Sequence, residues 1–203
     1  MREEVREFKR LRILEVAERL FYESGFDATS VDMIASELGM TKPFIYSYFP
    51  NKRAILEAVY EQAAQRLVAF LEKVTENDGS PQKRLVLLVD AFVHENIKNQ
   101  VASGVYLQEE KHLSDETRER IRGFERTFNI RLADLIRDGI RAGVFEVEDA
   151  SLCSLCISGM VRWVHRWYHA GGRYTADEVA AHIGDMALNL VRYDAAKHGP
   201  VVK

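Results

Sequence analysis

The pattern of apolar and polar positions over residues 28–56 predicts two short helices joined by a tight turn, followed by the start of a third helix. In the first helix apolar residues recur at i, i+3, i+4 and i+7, at Val31, Ile34, Ala35 and Leu38. Thr29, with Asp32 three residues later, forms a capping-box pattern and predicts the N-terminus of that helix. Gly39 is predicted to end it, because glycine readily adopts the left-handed conformation that helix ends often need.

The second short helix is predicted to begin directly after this turn. Thr41 is suited to its N-cap and Pro43 to its first turn, where no backbone N–H is needed. Ile45 and Phe49 are four residues apart and are expected to face the core together, and Pro50 ends the helix. Helices joined in this way can place the N-terminal residues of the second at the base edges of a DNA major groove.

The rest of the chain also follows a helical period, so we predict an all-α fold of about nine helices. Residues 1–6 are charged and are expected to form a solvated tail, although Arg2 and Arg6 could reach DNA as N-terminal arms do elsewhere. The predicted helices include a first over about residues 7–24, a long fourth over about 51–77 and a ninth that begins at the Thr175–Glu178 capping box. An eighth, over about 149–170, is apolar on most sides and is expected to be buried on more than one side.

The overall charge does not mark the chain as a nucleic-acid-binding protein. The formal net charge is −3, and residues 1–53 carry nine basic and nine acidic side chains, so this region is neutral. Between Thr41 and Arg53 there are three basic residues and no acidic one, a local surplus suited to DNA phosphates. Binding to DNA therefore depends on where the charges lie and not on a basic domain.

The helix-turn-helix stretch carries a motif longer than the turn alone. Its segments are Gly25-Phe26, Thr29-Ser30-Val31, Ile34-Ala35, Gly39-Met40-Thr41-Lys42, Ile45-Tyr46-Ser47-Tyr48-Phe49-Pro50-Asn51-Lys52 and Leu56. Together they resemble the DNA-binding domain of the tetracycline-repressor (TetR) family, in register and over about the first quarter of the chain. The resemblance implies a helix-turn-helix DNA-binding domain over residues 1–50. Residues 51–203 would then form a helical ligand-binding and dimerisation domain, linked to the first by the fourth helix.

Candidate DNA contacts fall at the starts of both short helices and later in the second. A recognition helix meets base edges with its first residues, and the start of the first helix offers free backbone N–H groups to a phosphate. The matching family positions imply phosphate contacts for the later residues. In this order the candidates are Thr41, Lys42 and Pro43, then Thr29 and Ser30, then Tyr46, Tyr48 and Lys52. For Tyr46 the alternative is a partly buried core residue.

The second domain of TetR-family proteins generally binds a small inducer, so the resemblance implies a small hydrophobic or amphipathic effector. Residues 159–175 resemble a TetR subgroup associated with fatty-acid, steroid and aromatic-acid catabolism, several members of which respond to acyl-coenzyme A thioesters. Aromatic residues could line an apolar tunnel, and arginines could hold the coenzyme's phosphates. The candidates are Phe92, Tyr106, Phe128, Arg131, Arg162, Trp163, Arg166 and Trp167. The alternative is that the rings are core and the arginines are solvated or ion-paired.

The eighth and ninth predicted helices are candidates for a homodimer interface. The ninth has an apolar stripe, and the eighth is more apolar than one core needs. Pairing both with their symmetry mates gives a four-helix interface. The candidate interface residues are Ile183, Met186, Ala187 and Leu190.

Other chemistries have weaker support. Cys153 and Cys156 form a C-x-x-C pair, but no second pair exists and the surroundings are apolar, so buried thiols are favoured over a zinc or redox site. His165 and His169 are four residues apart without an evident third ligand, so we predict partly exposed histidines and no metal site.

We predict no enzyme and no catalytic residue. Glu109, Glu110 and His112 could suggest acid–base chemistry, but no nucleophile or glycine-rich phosphate loop accompanies them. No membrane span and no signal-peptide core are evident, so a cytoplasmic protein without a membrane partner is expected. The predicted function is a repressor that binds a palindromic double-stranded operator as a homodimer and is released by a small-molecule inducer. The alternatives are a DNA-organising TetR-like protein without a ligand and an all-α enzyme or binding module without DNA affinity.

Overall fold

The computed structural model describes residues 2–75 and 79–201, without the side chains of residues 2, 67 and 70–75. Every regular element in these ranges is helical, which confirms the all-α prediction. The helices are α1 (Arg2–Ala28), α2 (Val31–Glu37), α3 (Lys42–Tyr46), α4 (Lys52–Thr75), α5 (Pro81–Lys98), α6 (Gln100–Gln108), α7 (Asp115–Arg141), α8 (Ala150–Arg162), α9 (Val164–Trp167), α10 (Ala176–Leu190) and α11 (Ala195–His198), with a 3-10 turn over Glu110–His112. The predicted end of the fourth helix near residue 77 lies outside the described residues.

The first helix starts earlier than its sequence pattern suggests. α1 already begins at Arg2, so the prediction of a solvated tail is wrong for residues 2–6, and residue 1 lies outside the described residues. An ion pair between Glu7 and Arg10, at 3.2 Å, lies one helical turn apart on its exposed surface and supports it locally. Gly25 interrupts the helix with φ 79° and ψ 160°, a conformation that favours glycine, and the predicted stop at this residue is confirmed.

The second helix is capped one residue later than expected. The Ser30 hydroxyl accepts the backbone N–H three residues on, at 3.2 Å, and caps α2. Thr29 is buried, and its hydroxyl donates to the carbonyl oxygens of Gly25 at 2.8 Å and Leu20 at 3.1 Å. The predicted capping box of Thr29 with Asp32 is therefore wrong, because the threonine closes the bend between α1 and α2 instead.

The turn and the start of the third helix follow the prediction. Gly39 has a φ of +63°, in the left-handed region. Thr41 occupies the N-cap of α3, and Pro43 lies in its first turn. α3 ends at Tyr46, earlier than the predicted stop at Pro50, so the recognition helix is short.

The predicted eighth helix divides into α8 and α9. Trp163 forms the boundary between them, and α9 ends at Trp167. The side-chain amide of Gln100 donates to the carbonyl oxygens of His165 and Tyr168, both at 2.7 Å. These bonds satisfy carbonyls that a helix end leaves unpaired, so the chain ends its helix earlier than the predicted residue 170.

The chain divides into two compact units. The N-terminal unit comprises residues 1–64 and 101–122, and the C-terminal unit comprises residues 65–100 and 123–203, so that α4 and α7 contribute to both. The functional division at residue 50 remains a prediction. The core of the C-terminal unit is apolar and includes Leu85, Leu88, Val89, Phe92, Phe128, Leu132, Ile136, Ile157, Val161, Ile183 and Ala187.

Residues 25–29, which we call the Phe26 corner, connect α1 to α2 in the N-terminal unit. Lys52, the first residue of α4, donates from Nζ to the carbonyl oxygens of Phe26 at 2.5 Å and Thr29 at 2.7 Å. Its ammonium group also lies 4.2 Å from the centre of the Phe26 ring, a cation–π distance. Lys52 therefore fastens the start of α4 to the corner that precedes α2.

A second side chain holds the same corner from the end of α6. The carboxylate of Glu109 accepts the backbone N–H of Phe26 at 3.2 Å, and Glu109 is only 7% exposed. The His112 ring lies against the Phe26 ring, with 4.6 Å between centroids. A buried carboxylate needs such donors, so Glu109 and the Phe26 amide satisfy each other.

We expect Lys52→Met to lower the free energy of unfolding by about 1.5–3 kcal/mol, because carbonyl oxygens of the corner lose a charged donor. The control is Arg53→Met, which removes the same charge from the next, exposed residue and should change stability by less than about 0.5 kcal/mol. Urea unfolding followed by circular dichroism measures both. Equal stability of the Lys52 and Arg53 variants would contradict a fastening role for Lys52.

Candidate functional site

The exposed surface of the helix-turn-helix contains the residues predicted to meet base edges. Thr41, Lys42 and Pro43 are all exposed. The Thr41 side chain makes no capping hydrogen bond to α3, which leaves its hydroxyl available to DNA. Tyr46 is 44% exposed and is therefore accessible at the surface, whereas Ile45 beside it is fully buried.

Lys42 is held by a neighbouring carboxylate. Its Nζ lies 2.6 Å from Oδ2 of Asp32 on α2, and this hydrogen bond raises the pKa of Lys42. Both side chains are largely exposed, at 45% and 62%, and an ion pair of this kind contributes little stability. Lys42 can therefore exchange Asp32 for a DNA group at small cost.

The other predicted contact residues are buried or half-buried, and several of them already bind groups of the protein. Lys52 already binds the carbonyls of the Phe26 corner, and the Thr29 side chain is 1% exposed. Ser30 is half-buried and uses its hydroxyl to cap α2, while Tyr48 is half-buried beside α3. We call the helices α1 to α3 with the start of α4 the head. The sequence motif thus includes residues that hold the head together as well as residues on its surface.

Sequence reasoning considered Arg6 only as part of an N-terminal arm, and it missed Lys9 and Arg10, which lie with Arg6 on α1 beside the recognition helix. Arg6 lies 5.9 Å from the centre of the Tyr48 ring, and Lys9 lies 5.3 Å from the centre of the Phe44 ring. Arg10, one turn after Arg6, lies 5.6 Å from the ring centre of Phe49. Their i, i+3 and i+4 spacing was a usable signal, but it required that α1 begin before residue 6.

The aromatic candidates for ligand binding belong to different units. Phe92 and Phe128 are in the core of the C-terminal unit, with 4.9 Å between ring centroids. Tyr106 belongs to the N-terminal unit, where its ring stacks on that of Tyr60 at 5.0 Å. Tyr106 therefore does not belong to the unit whose core contains Phe92 and Phe128.

The remaining ligand candidates are mostly on the surface of the C-terminal unit. Arg162 is an exception, with Nη1 2.5 Å from Oε1 of Glu125. Trp163 is 59% exposed, so the alternative of a core tryptophan is wrong for this residue. The exposed members of the set are Arg131, Trp163, Arg166 and Trp167. Part of α8 is therefore exposed in the protomer, and the expected burial of the eighth helix on more than one side remains a prediction.

The C-terminal unit also contains polar groups that the sequence did not single out. Asn96 Oδ1 and Arg162 Nη2 are buried atoms with no hydrogen-bond partner among the described residues. Asn96 is on α5, a helix that packs against both α8 and α9. Arg162 is the last residue of α8 at that junction. A polar ligand group could satisfy either atom.

The predicted dimer residues divide between the core and the surface. Ile183 and Ala187 belong to the core of the C-terminal unit, so they are not available at the surface of the protomer. Met186 is 55% exposed and Leu190 is half-buried. The larger apolar surface is on α8, where the exposed residues are Leu152, Leu155, Cys156, Gly159 and Trp163.

The cysteines and histidines that the sequence analysis singled out differ in their exposure. Cys153 is half-buried, and burial raises the pKa of its thiol, whereas Cys156 is exposed, contrary to prediction. His165 is buried with Nδ1 2.8 Å from the Arg162 carbonyl oxygen, and His169 is exposed. Within residues 2–75 and 79–201, no three metal-ligating side chains gather in one place. None of the helices in these ranges has both the length and the apolar character that a bilayer crossing requires.

Comparison with known proteins relates both parts of the chain to one family. Residues 13–59 match the family model of bacterial regulatory proteins of the tetR family, and residues 78–191 match the tetracyclin repressor-like C-terminal domain. The HTH-type transcriptional repressor KstR2 of Mycobacterium tuberculosis is 26% identical over 194 residues, which cover 94% of each protein.

Solved structures show the same relationship. The TetR-family transcriptional regulator PfmR of Thermus thermophilus is 33% identical, covers 88% of this chain and 97% of its own, and superposes with a TM-score of 0.82. AibR, solved in complex with isovaleryl coenzyme A and operator DNA, shares the fold with a TM-score of 0.79 and 24% identity over 87% of this chain and 96% of its own. The chain therefore belongs to the TetR family of transcriptional regulators, with a DNA-binding helix-turn-helix at its N-terminus.

Proposed function

We propose that the protein is a homodimeric transcriptional repressor that binds a palindromic operator and is released by a small-molecule inducer. The observation that carries the DNA-binding part is the exposure of Thr41, Lys42, Pro43 and Tyr46 around a short helix supported by a buried Ile45. A helix of this kind docks in the major groove with its first residues at the base edges. The relative KstR2, which is similar over nearly its whole length, is a transcriptional repressor and supports this assignment.

The roles at the DNA surface follow from what each side chain touches. Thr41, Lys42 and Pro43 would meet base edges, while the hydroxyls of Tyr46 and Tyr48 would bind phosphates. The start of α2 could hold a phosphate through backbone N–H groups, with Ser30 as its cap. Lys52 and Thr29 would act indirectly, by positioning α2 and α3 through the Phe26 corner.

The dimer would form through the outer face of α8 together with Met186 of α10. Leu152, Leu155 and Trp163 are each more than half exposed and lie along that face, an apolar surface of the kind that marks an interaction site. An isologous pairing of this face with its copy would bury it, and would bring two recognition helices to the two halves of a palindrome.

We expect Leu155→Arg to convert the dimer into a folded monomer, because the exposed face of α8 would acquire two buried, like charges on pairing. The matched control is Ile130→Arg on α7, since Ile130 is also exposed, at 54%, but lies outside that face. Light scattering gives the mass and circular dichroism the folded state. A Leu155→Arg protein that stays dimeric, alongside a monomeric Ile130→Arg protein, would move the interface to α7.

The proposed inducer is an acyl-coenzyme A thioester. AibR binds isovaleryl coenzyme A on the same fold, which supports the chemical class. In this chain Phe92 and Phe128 offer apolar surface to an acyl group, and Asn96 and Arg162 offer a buried acceptor and donor to its polar end. Arg131 and Arg166 are exposed and could meet the coenzyme phosphates. The tryptophans would take part only from outside this core, and Tyr106 belongs to the other unit.

Release of DNA would follow from a shift between conformations. The dimer would have one conformation in which the two recognition helices are spaced to bind the operator and another in which they are not. A ligand that binds the second conformation more tightly lowers the affinity for DNA, at most by the ratio of its affinities for the two conformations. No covalent step is needed, and the residues of the head would keep their contacts with one another.

The test is a titration of a preformed complex between the protein and a duplex from the region upstream of its own gene. We expect acyl-coenzyme A thioesters of some chain length to release the DNA, and the corresponding free acids and free coenzyme A to leave it bound. Fluorescence anisotropy of the labelled duplex measures release.

Each other outcome has a defined meaning. Release by free hydrophobic acids alone would replace the thioester with another inducer. Binding that no small molecule alters would favour a DNA-organising regulator without a ligand. The absence of any DNA binding at low salt would refute the repressor assignment.

A further inference from the structure

We propose that α1 carries a second, sequence-independent DNA-binding site, formed by Arg6 and Lys9, which binds backbone phosphates beside the groove that α3 enters. The inference rests on the proposed function, because it requires that α3 docks on DNA. It assigns phosphate binding to the first part of α1, which precedes the sequence motif, since that motif begins only at Gly25.

The geometry places both cations against the recognition helix. The Arg6 guanidinium carbon lies 5.9 Å from the centre of the Tyr48 ring, and Lys9 Nζ lies 5.3 Å from the centre of the Phe44 ring. Tyr48 and Phe44 are themselves in contact, with 5.2 Å between ring centroids. The aromatic pair therefore holds two positive charges at the edge of α3, next to a tyrosine suited to bind phosphate.

The helix that carries these cations is anchored to the head. Ile13 and Leu14 are fully buried in the N-terminal unit, and Arg10 lies over the buried Phe49 ring while pairing with Glu7. Arg6 and Lys9 lie one to two turns before this anchor, at about 1.5 Å of rise per residue. They are consequently part of a fixed surface and not of a free tail.

The charges of Arg6 and Lys9 are available to bind phosphates, whereas Lys42 and Lys52 are already bound by groups of the protein. Among the described residues, neither cation has a carboxylate within ion-pair distance. Lys42 pairs with Asp32 at 2.6 Å, and Lys52 is bound by the carbonyl oxygens of the Phe26 corner. Arg53 is exposed at the start of α4 and adds to the same supply. Among the described residues of the head, the basic side chains without an acidic or carbonyl partner, which can bind phosphates most strongly, are therefore Arg6 and Lys9 on α1 and Arg53 on α4.

The test compares two double variants that remove the same charge. The first is Arg6→Ala with Lys9→Ala. The control is Arg12→Ala with Arg141→Ala, because both of these arginines are exposed and pair with acidic residues on their own helices. Affinity for the upstream duplex and for an unrelated duplex of equal length is measured over a series of KCl concentrations.

We expect the Arg6/Lys9 variant to weaken binding to both duplexes by the same factor. Its plot of log affinity against log salt should be shallower by about 3.6, since a dimer loses about four phosphate contacts at about 0.9 each. The control should retain the wild-type slope within about one. A further variant, Arg6→Lys with Lys9→Arg, should restore the slope, because it keeps the charges and changes the shapes.

Several results would overturn the proposal. An Arg6/Lys9 slope equal to that of the control, with wild-type protein binding normally, would remove α1 from the interface and leave the repressor function intact. A loss of operator binding alone, or a failure of the charge-conserving variant to restore the slope, would indicate a packing role in place of a phosphate site. Wild-type protein that binds neither duplex would refute the proposed function itself.

Discussion

The Phe26 corner is the constraint on which the placement of the recognition helix depends. Gly25 leaves the helical conformation, so the peptide groups that follow it cannot complete the α1 ladder and need other partners. The carbonyls of Phe26 and Thr29 obtain theirs from Lys52, and the Phe26 amide obtains its partner from Glu109, 83 residues further along the chain. The angle at which α2 and α3 leave α1 is thus fixed by side chains from α4 and from the end of α6.

The same unit is tied together at further points. The Tyr60 hydroxyl of α4 donates to the carbonyl oxygens of Val105 and Tyr106, at 2.8 and 2.9 Å, and burial raises the pKa of Tyr60, so it remains a donor. Gly104 of α6 lies so close to Tyr22 of α1 that a Cβ there would be 2.2 Å from the ring. A displacement of α6 or of the first half of α4 must therefore carry α2 and α3 with it or break these contacts. This linkage gives the proposed release of DNA a physical basis.

The sequence predicted the elements better than the roles of individual residues. Turn signals such as Gly39 and Pro43 act locally, and the structure follows them. Lys52 was assigned to phosphate from the family motif, and the carbonyl oxygens that its ammonium group meets after folding have no signal in the sequence. Ile183 and Ala187 were assigned to the dimer because a periodic stripe shows that a face is apolar and not which partner covers it. The buried Asn96 had no signal in the hydrophobic pattern.

Charge placement answers the strongest compositional objection to DNA binding, which is the neutrality of residues 1–53. Several acidic side chains of residues 1–53 form ion pairs with basic side chains of the same region, as Glu7 does with Arg10 and Glu37 with Arg19. Their charges cancel locally, because such pairs are separated by less than the screening length of about 8–10 Å. What reaches outward beside α3 is then set by Arg6 and Lys9, which are held over aromatic rings and have no carboxylate partner in the part of the chain described. A neutral head can consequently present a positive surface to DNA, and net charge alone does not argue against that function.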